Sequence, residues 1–363
     1  MQPKPMDILI SPLDWGLGHA ARCIPVISLL NEAGHKITLA GYGRSLIMLQ
    51  KEFPFLESIE LPGFSPSYPK SGYMVLHLFL QLPQFIGSII HEHRELKKIS
   101  TRRHFDIIIS DNRYGLWDKN TRSILITHQV MIKTPGWMRF AEYWLYRVSR
   151  FLISRFDECW IPDEKERPGL SGDLSHNYPL PVNAKFIGTL SRFKQAESLP
   201  SNISHEGKIT AIISGPEPQR SLFEELVTKQ LRELNHPATI IGGRPETGRL
   251  AVTESNLSIL PYLTSDDLRS VIISSSLVIC RSGYTSIMDM EALGAKALFV
   301  PTPGQTEQIY LAGLLQQAGI ALCRTQEGLN LKADIVEALK FPGFRKNTVT
   351  NGIITAIAEL KKK

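Results

Sequence analysis

LVICRSGYTSIMDMEALGAKALFVP, residues 277–301, contains two short apolar runs, Leu277–Cys280 and Ala297–Val300, separated by a small-residue turn and a helical stretch. Unbroken apolar runs of this length, bounded by turns, are the mark of strands buried on both faces. A helix between two such strands makes a parallel βαβ unit. The turn Arg281-Ser282-Gly283 therefore lies where a strand ends and a helix begins. Backbone N–H groups without helical partners point out of the sheet there and can hold an anion. Asp289 and Glu291 follow on the helix, two residues apart, so only one of them can face a cleft. After the second strand, Pro303-Gly304-Gln305-Thr306-Glu307-Gln308 opens another helix in the same way. Two helix N-termini at adjacent strand ends, carrying serine, carboxylate and amide groups, suit a ligand with phosphate, ribose and sugar parts.

The same alternation extends in both directions. In the second half, Lys208–Ser214, Ala238–Ile241, Leu257–Leu260 and Ala321–Cys323 read as strands, with a helix from about Leu222 to Leu234. In the first half the strands are Asp7–Ser11, Lys36–Ala40, Asp106–Ser110, Ser123–Thr127 and Glu158–Ile161, with a helix over Arg22–Ala33 stopped by Gly34. The pattern predicts an α/β protein of two doubly wound, Rossmann-like domains facing across a cleft. The polar stretch Gly188–Gly207 marks the junction. The expected domains are 1–190 and 205–342, with a last helix within 345–363 returning to the first.

The 363 residues suffice for two cores, and 43% hydrophobic with 21% charged residues is a globular composition. Cys23, Cys159, Cys280 and Cys323 are widely spaced and form no CxxC pair, so they read as ordinary thiols of a reducing compartment. The N-terminus lacks the apolar stretch of a signal peptide, and Met74–Ile90 is interrupted by His77, Gln81, Pro83 and Gln84, which makes it a poor membrane span. A cytoplasmic protein is expected. The net charge of +6 is uneven: residues 1–195 hold 24 Lys and Arg against 18 Asp and Glu, whereas the remainder is balanced. A basic first half faces something acidic, and an anionic membrane surface is one candidate. Nucleic acid is the other, but no helix-turn-helix, RNP or zinc-finger pattern accompanies the charge.

Four loops carry candidate chemistry. Gly16-Leu17-Gly18-His19 follows the first strand, where glycine lets a ligand approach the backbone and His19 stands at the carboxyl edge as a candidate base. Ala21 occupies the third glycine position of a GxGxxG pattern and Arg22 follows it, so a nicotinamide cofactor is not supported. Asp111 ends another strand and can orient an imidazole. His128 and Gln129 end the next and are candidates for acceptor contact. Ser214-Gly215-Pro216-Glu217-Pro218-Gln219-Arg220 is a strand-to-helix loop able to hold a pyrophosphate, with Arg220 as a possible counter-charge; no GK[ST] follows, so it is not a Walker loop. No zinc-ligand spacing and no Asp-x-Asp motif occurs, and no cofactor or metal is expected.

Residues 277–323 resemble the donor-binding half of GT-B glycosyltransferases. The likeness is closest to the bacterial MurG-like group, which adds N-acetylglucosamine to a lipid-linked peptidoglycan precursor. CRSG at 280–283 and ALFVP at 297–301 stand unaltered, with an acid-bearing helix between them and a glutamine-bearing loop after them. The Gly16–His19 loop resembles the family's Gly-rich N-terminal loop, which has more glycines. The Ser214–Gln219 loop stands where the family usually has Gly-Ser-Gln. The resemblance implies ribose binding by Asp289, with Glu291 as the alternative, and sugar contact from Gln308 beside Gln305. It implies further donor contacts from Ser214, Gly215, Arg281, Ser282 and Gly283, and places Gly16, Gly18 and His128 on the acceptor side.

The reaction so implied is metal-independent, inverting transfer of a sugar from a nucleotide sugar, a UDP-sugar first, to a hydroxyl, with His19 as base and Asp111 orienting it. A UDP-sugar hydrolase or epimerase on the same fold is the alternative. Thr134–Arg155 interleaves Trp137, Phe140, Tyr143, Trp144 and Tyr146 with Arg139, Arg147, Arg150 and Arg155. On an amphipathic helix such a pattern fits either a long core helix with solvated arginines or peripheral contact with an anionic leaflet, the latter with a lipid-linked acceptor.

Overall fold

A computed structural model describes residues 4–63, 81–193, 207–234, 236–248, 251–254, 256–345 and 352–360. Two seven-stranded sheets organise them. The first runs β3(Glu57–Glu60)-β2(Lys36–Gly41)-β1(Asp7–Pro12)-β4(Ile107–Asp111)-β5(Arg122–Ile126)-β6(Glu158–Ile161)-β7(Ala184–Phe186), all parallel. The second runs β10(Val252–Glu254)-β11(Leu257–Leu260)-β9(Ala238–Ile241)-β8(Ile209–Ile212)-β12(Leu277–Cys280)-β13(Ala297–Phe299)-β14(Leu322–Cys323). Only β10 is antiparallel within it. Strand order reverses between β1 and β4, and again between β8 and β12; ligands of doubly wound sheets sit at the carboxyl ends of such pairs.

The central strands are legible because both of their faces are covered: Leu9, Ile10, Ile108, Ile109, Leu277 and Ile279 are essentially fully buried. β3, β7 and β10 lie at sheet edges, and β3 and β10 carry partly polar residues with no continuous apolar run (ESIE in β3, VTE in β10). Two helices begin earlier than their apolar periodicity predicts. The first spans Leu17–Glu32 rather than starting at Arg22, so Gly18 and His19 belong to its first turn. The helix after β8 spans Gln219–Glu233. The first turn of the former meets Thr285 of the second half, and Gln219 and Arg220 of the latter are buried among hydrogen-bond partners of their own half, tertiary effects that periodicity does not register.

The helix Gly352–Leu360 lies against the first sheet. Ile353, Ala356, Ile357 and Leu360 form its buried stripe. A Cβ on Gly352 would stand 2.5 Å from the Ile187 carbonyl, so only glycine permits this approach. The helix end is anchored electrostatically: Lys185 bridges Glu359 (2.7 Å) and Glu158 (2.9 Å), Arg122 pairs with Glu158, and Arg122 also donates to the Leu360 carbonyl (3.4 Å). Burial would raise the Glu158 carboxyl, but Arg122, Trp160 and Lys185 overcome it and hold it at about 2. An acid depressed by folding stabilises above its unfolded value and loses that contribution as pH falls towards the folded one. Acidification from pH 5 to pH 2 should therefore loosen this helix, and Glu158→Gln should flatten the dependence. Hydrogen exchange of 352–360 measures both.

One cluster of buried apolar side chains joins the two halves, including Ala20 and Ile24 of the first helix and Ile287 and Met288 of the helix Tyr284–Leu293. Residues 194–206 of the expected junction and 74–80 of the apolar stretch lie outside the described residues. The four cysteines are free. Among the described residues no helix is long and apolar enough to cross a membrane.

Candidate functional site

The first strand ends at Pro12, and the chain reaches the helix Leu17–Glu32 through Gly16, whose φ of +145° is a conformation glycine alone adopts without strain. His19 emerges from the first helical turn directly above the end of β4. Its Nδ1 lies 2.6 Å from Asp111 Oδ1. Asp111 is fully buried, and Arg22, one turn below His19, grips it through Nε and, at 2.6 Å, through Nη2. Burial would raise the Asp111 carboxyl, but Arg22 and His19 outweigh it and hold it below the usual carboxylate range. A carboxylate this close to Nδ1 requires the proton on Nδ1. The lone pair of a neutral His19 is then on Nε2, which has no protein partner among the described residues. His19 is 19% exposed at its side chain, so Nε2 can reach a ligand.

Arg22 continues the network across the seam. Its Nη1 donates to His128 Nδ1 (3.0 Å), and His128 Nε2 donates to Glu307 Oε1 (2.8 Å) at the start of the helix Thr306–Gln317. Gln129 donates to the other Glu307 oxygen. The His128 ring stacks on Tyr284, with centroids 4.1 Å apart and planes 8° from parallel. Burial pushes His128 down, so it is neutral and accepts on Nδ1. Burial would raise Glu307, but His128, Arg22 and His19 hold it down as a carboxylate. The helix Tyr284–Leu293 meets the N-terminal loop directly: Thr285 Oγ1 donates to the Gly18 carbonyl (3.0 Å). A Cβ on Gly18 would come within 3.2 Å of that hydroxyl. Gly16, Gly18, His19, Asp111 and His128 are thus brought together.

The second-half residues divide into two groups. Ser282 Oγ donates to the Gln308 carbonyl (2.9 Å), the Gln308 side-chain oxygen accepts from Thr302 N–H (2.8 Å), and its Nε2 faces Gly283. Thr302 Oγ1, buried without a partner, is the atom nearest Gly215. Ser214–Gly215, Ser282–Gly283 and Gln308 therefore surround one spot at the carboxyl ends of β8 and β12, and Gln305 precedes the helix Thr306–Gln317 with its Oε1 buried and unpartnered.

Arg281 belongs elsewhere. It is fully buried, and its guanidinium donates to the carbonyls of Val300 and Pro301 (3.2 Å each) and Gln219 (3.1 Å) and to Gln326 Oε1 (2.6 Å), over the Phe223 ring. The donor contact expected of it is replaced by a role beneath the loops. Asp289 is likewise turned away: Ser191 Oγ (2.7 Å) and Arg192 Nε (3.1 Å) occupy its two oxygens. Glu291 faces the first half, where burial and the carboxylates of Glu164 and Asp163 push it up to about 7. Neither acid is presented to the spot between the loops. Arg220 is engaged by Glu217 (2.6 Å), Glu224 (2.9 Å) and the Gly242 carbonyl (3.0 Å), which leaves it no free donor pair for a pyrophosphate. Among the described residues, no group of three or more His, Cys, Asp or Glu side chains is placed to hold a metal ion.

Residues 222–361 match the glycosyltransferase family 28 C-terminal domain. The chain aligns with an uncharacterized glycosyltransferase of Methanosarcina acetivorans, 23% identical over 341 residues and covering 86% of this chain and 84% of that one. It also aligns with the UDP-N-acetylglucosamine–N-acetylmuramyl-(pentapeptide) pyrophosphoryl-undecaprenol N-acetylglucosamine transferase of Lactobacillus johnsonii, 22% identical over 332 residues with the same coverage. Among solved structures, Acinetobacter baumannii MurG superposes with a TM-score of 0.56 over 99% of this chain and all of that one, at 12% identity. The glycosyltransferase of kitacinnamycin gives 0.63 over 99% and 95%, at 14% identity. The chain is a glycosyltransferase of the GT-B fold with a family 28 C-terminal domain, and it is similar to the MurG group.

In this glycosyltransferase three residues of the network escape a reading by motif. Arg22 carries a signal, since it lies three residues after His19 on one helix face. Glu307 stands beside Gln308 in a loop already singled out, but nothing in the chain says that it crosses to His128. Tyr284 reads as an ordinary first-turn residue until the seam stacks it on that imidazole.

Proposed function

We propose that the glycosyltransferase moves a sugar from a nucleotide sugar, a UDP-sugar, to a hydroxyl of a lipid-linked acceptor by single inverting displacement. The observation that carries this reading is the His19–Asp111 pair, with Nδ1 tied at 2.6 Å and Nε2 free at the switch point of the first sheet. Nε2 takes the acceptor proton as the acceptor oxygen bonds to the anomeric carbon and the bond to the diphosphate oxygen breaks. Asp111 stabilises the imidazolium that forms. The leaving diphosphate gathers charge opposite backbone N–H groups of Ser214–Gly215 and the start of the helix Tyr284–Leu293, where helix ends favour anions. The relative from Lactobacillus johnsonii is named for a UDP-N-acetylglucosamine donor and an undecaprenol-linked acceptor, which supports the same substrate classes here.

UDP should raise the melting temperature by several degrees and ATP and NAD should not; a ligand at one hundred times its Kd stabilises by about 2.7 kcal/mol. Equal response to all three, or to none, overturns the donor assignment.

The acceptor side faces a membrane in this proposal. The 3-10 turn Gly136–Ala141 and the helix Glu142–Ile153 leave Trp137 and Phe140 each 75% exposed and Trp144 69% exposed, with Val148 and Phe151 continuing the outer stripe beside Arg147 and Arg150. Tyr146, Ser149 and Ile153 bury the opposite face, so the outer aromatics are surplus to the core. Aromatics among arginines match an anionic leaflet in both polarity and charge. The protein should pellet with phosphatidylglycerol vesicles at low salt and not with phosphatidylcholine vesicles. Trp137→Ser with Trp144→Ser should release it. Equal pelleting of that double variant counts against this face.

A further inference from the structure

The network around Asp111 does not end at the base it serves. Arg22 is buried and divides its donors between Asp111 on one side and His128 on the other; His128 in turn donates to Glu307, which comes from the opposite half of the molecule. Charges alternate along this line: carboxylate, neutral imidazole, guanidinium, carboxylate, imidazole. Each link has a defined donor. Glu307 accepts on both oxygens, from His128 and Gln129, so it is fully engaged by the first half. Tyr284, also from the second half, fixes the plane of the His128 ring by stacking, and its hydroxyl donates to the Pro162 carbonyl (2.8 Å). The groups facing His128 are thus Arg22 from the helix Leu17–Glu32, Glu307 from the helix Thr306–Gln317, and the Tyr284 ring; those facing His19 are Asp111 and Arg22.

The geometry points to Glu307 as a positioning residue that acts through His128 and Arg22 on the His19–Asp111 pair, so that the base is aligned only when the two halves are together. This rests on the reading of His19 as the base. The physical reason is competition for Arg22. With Glu307 in place, His128 keeps its proton on Nε2 and offers Nδ1 to Arg22, which holds the guanidinium between two acceptors. Without Glu307 the buried Nε2–H loses its acceptor, and only the Arg22 N–H still favours that tautomer. A His128 protonated on Nδ1 turns a donor towards Arg22 and repels it, and Arg22 shifts on Asp111. The carboxylate then no longer meets Nδ1 of His19 in line. The same seam that brings the donor-side loops to the acceptor side would thereby complete the base, and an open enzyme would hold a poorly aligned one.

The test uses the full chain labelled with 15N-histidine, with His19→Gln and His128→Gln spectra assigning those two side chains among the ten histidines. In the wild type His19 should show the Nδ1–H tautomer and His128 the Nε2–H tautomer. Glu307→Ala should convert His128 and also displace the His19 resonances, and Glu307→Gln, which keeps an acceptor for His128, should restore most of both. Turnover is read as UDP release from UDP-N-acetylglucosamine. It should fall about 10- to 100-fold in Glu307→Ala, the usual cost of losing an outer hydrogen-bonding partner, with UDP affinity unchanged. A His19 spectrum that stays fixed while that of His128 changes overturns the coupling. The spectra decide this even if the wild type proves inactive on that donor, a result that would count instead against the donor assignment. Glu307→Gln also covers misfolding of the alanine variant, since it is nearly isosteric.

Discussion

His19→Ala should lose turnover about 10²- to 10⁴-fold, the range that a positioned general base contributes, while binding UDP as the wild type does. The two readouts separate because His19 lies on the first half, at the end of β1 and β4, whereas Ser214–Gly215, Ser282–Gly283 and Gln308 belong to the second. Asp111→Asn should follow in activity, because an amide neither demands a proton on His19 Nδ1 nor stabilises the imidazolium. It should also lower the melting point. Arg22 would be left as a buried cation whose two nearest donors face a neutral group, and breaking a buried pair in this way costs about 3–5 kcal/mol. Stopped-flow or coupled assays of UDP release, with calorimetric titration of UDP on the same preparations, give both numbers. A His19→Ala protein that keeps half of the wild-type rate would falsify the assignment of the base.

Arg281→Met is expected to have the larger structural effect. The guanidinium bonds four acceptors, three of them backbone carbonyls at the ends of β13 and the start of the helix Gln219–Glu233, and it lies 4.0 Å above the Phe223 ring. Methionine fills much of the volume but leaves these acceptors unpaired in a buried place, at about 1–3 kcal/mol for each that cannot relax. Part of this is offset because a buried charge no longer has to be desolvated. A net loss of roughly 3 kcal/mol is expected, seen as a fall in the thermal transition of the second half. Arg281→Lys should rescue little, since one ammonium cannot span a fork of carbonyls. Well below the transition, UDP affinity should stay within about threefold, under 1 kcal/mol. A tenfold loss in the fully folded variant would place the guanidinium on the ligand after all.

These two residues show where a sequence stops speaking. CRSG is equally plain at Arg281, Ser282 and Gly283, and its position after a buried strand locates the turn at the carboxyl edge of the sheet. Which way each side chain leaves that turn is another matter. Ser282 and Gly283 stay beside Gly215 and Gln308, whereas Arg281 turns under the sheet edge, where several carbonyls converge on its buried donor group. Asp289 has the register of a ligand contact, and its burial is satisfied instead by Ser191 and Arg192, nearly a hundred residues away along the chain.

The periodicity of apolar runs by itself determined the two parallel sheets, their central strands and the loops at which chemistry could occur, because a strand covered on both faces must be apolar throughout. The pairing of His19 with Asp111 was also legible, since both stand at strand ends on either side of the first switch point. Only the tertiary structure decided that Arg22, His128, Tyr284 and Glu307 join that pair, and that Arg281 and Asp289 leave the ligand side. Hydrogen-bond partners of buried charges are chosen by whichever groups the seam between the halves brings within about 3 Å. That distance is fixed by packing between His128 and Glu307, 179 positions apart in the chain, and no local pattern encodes it.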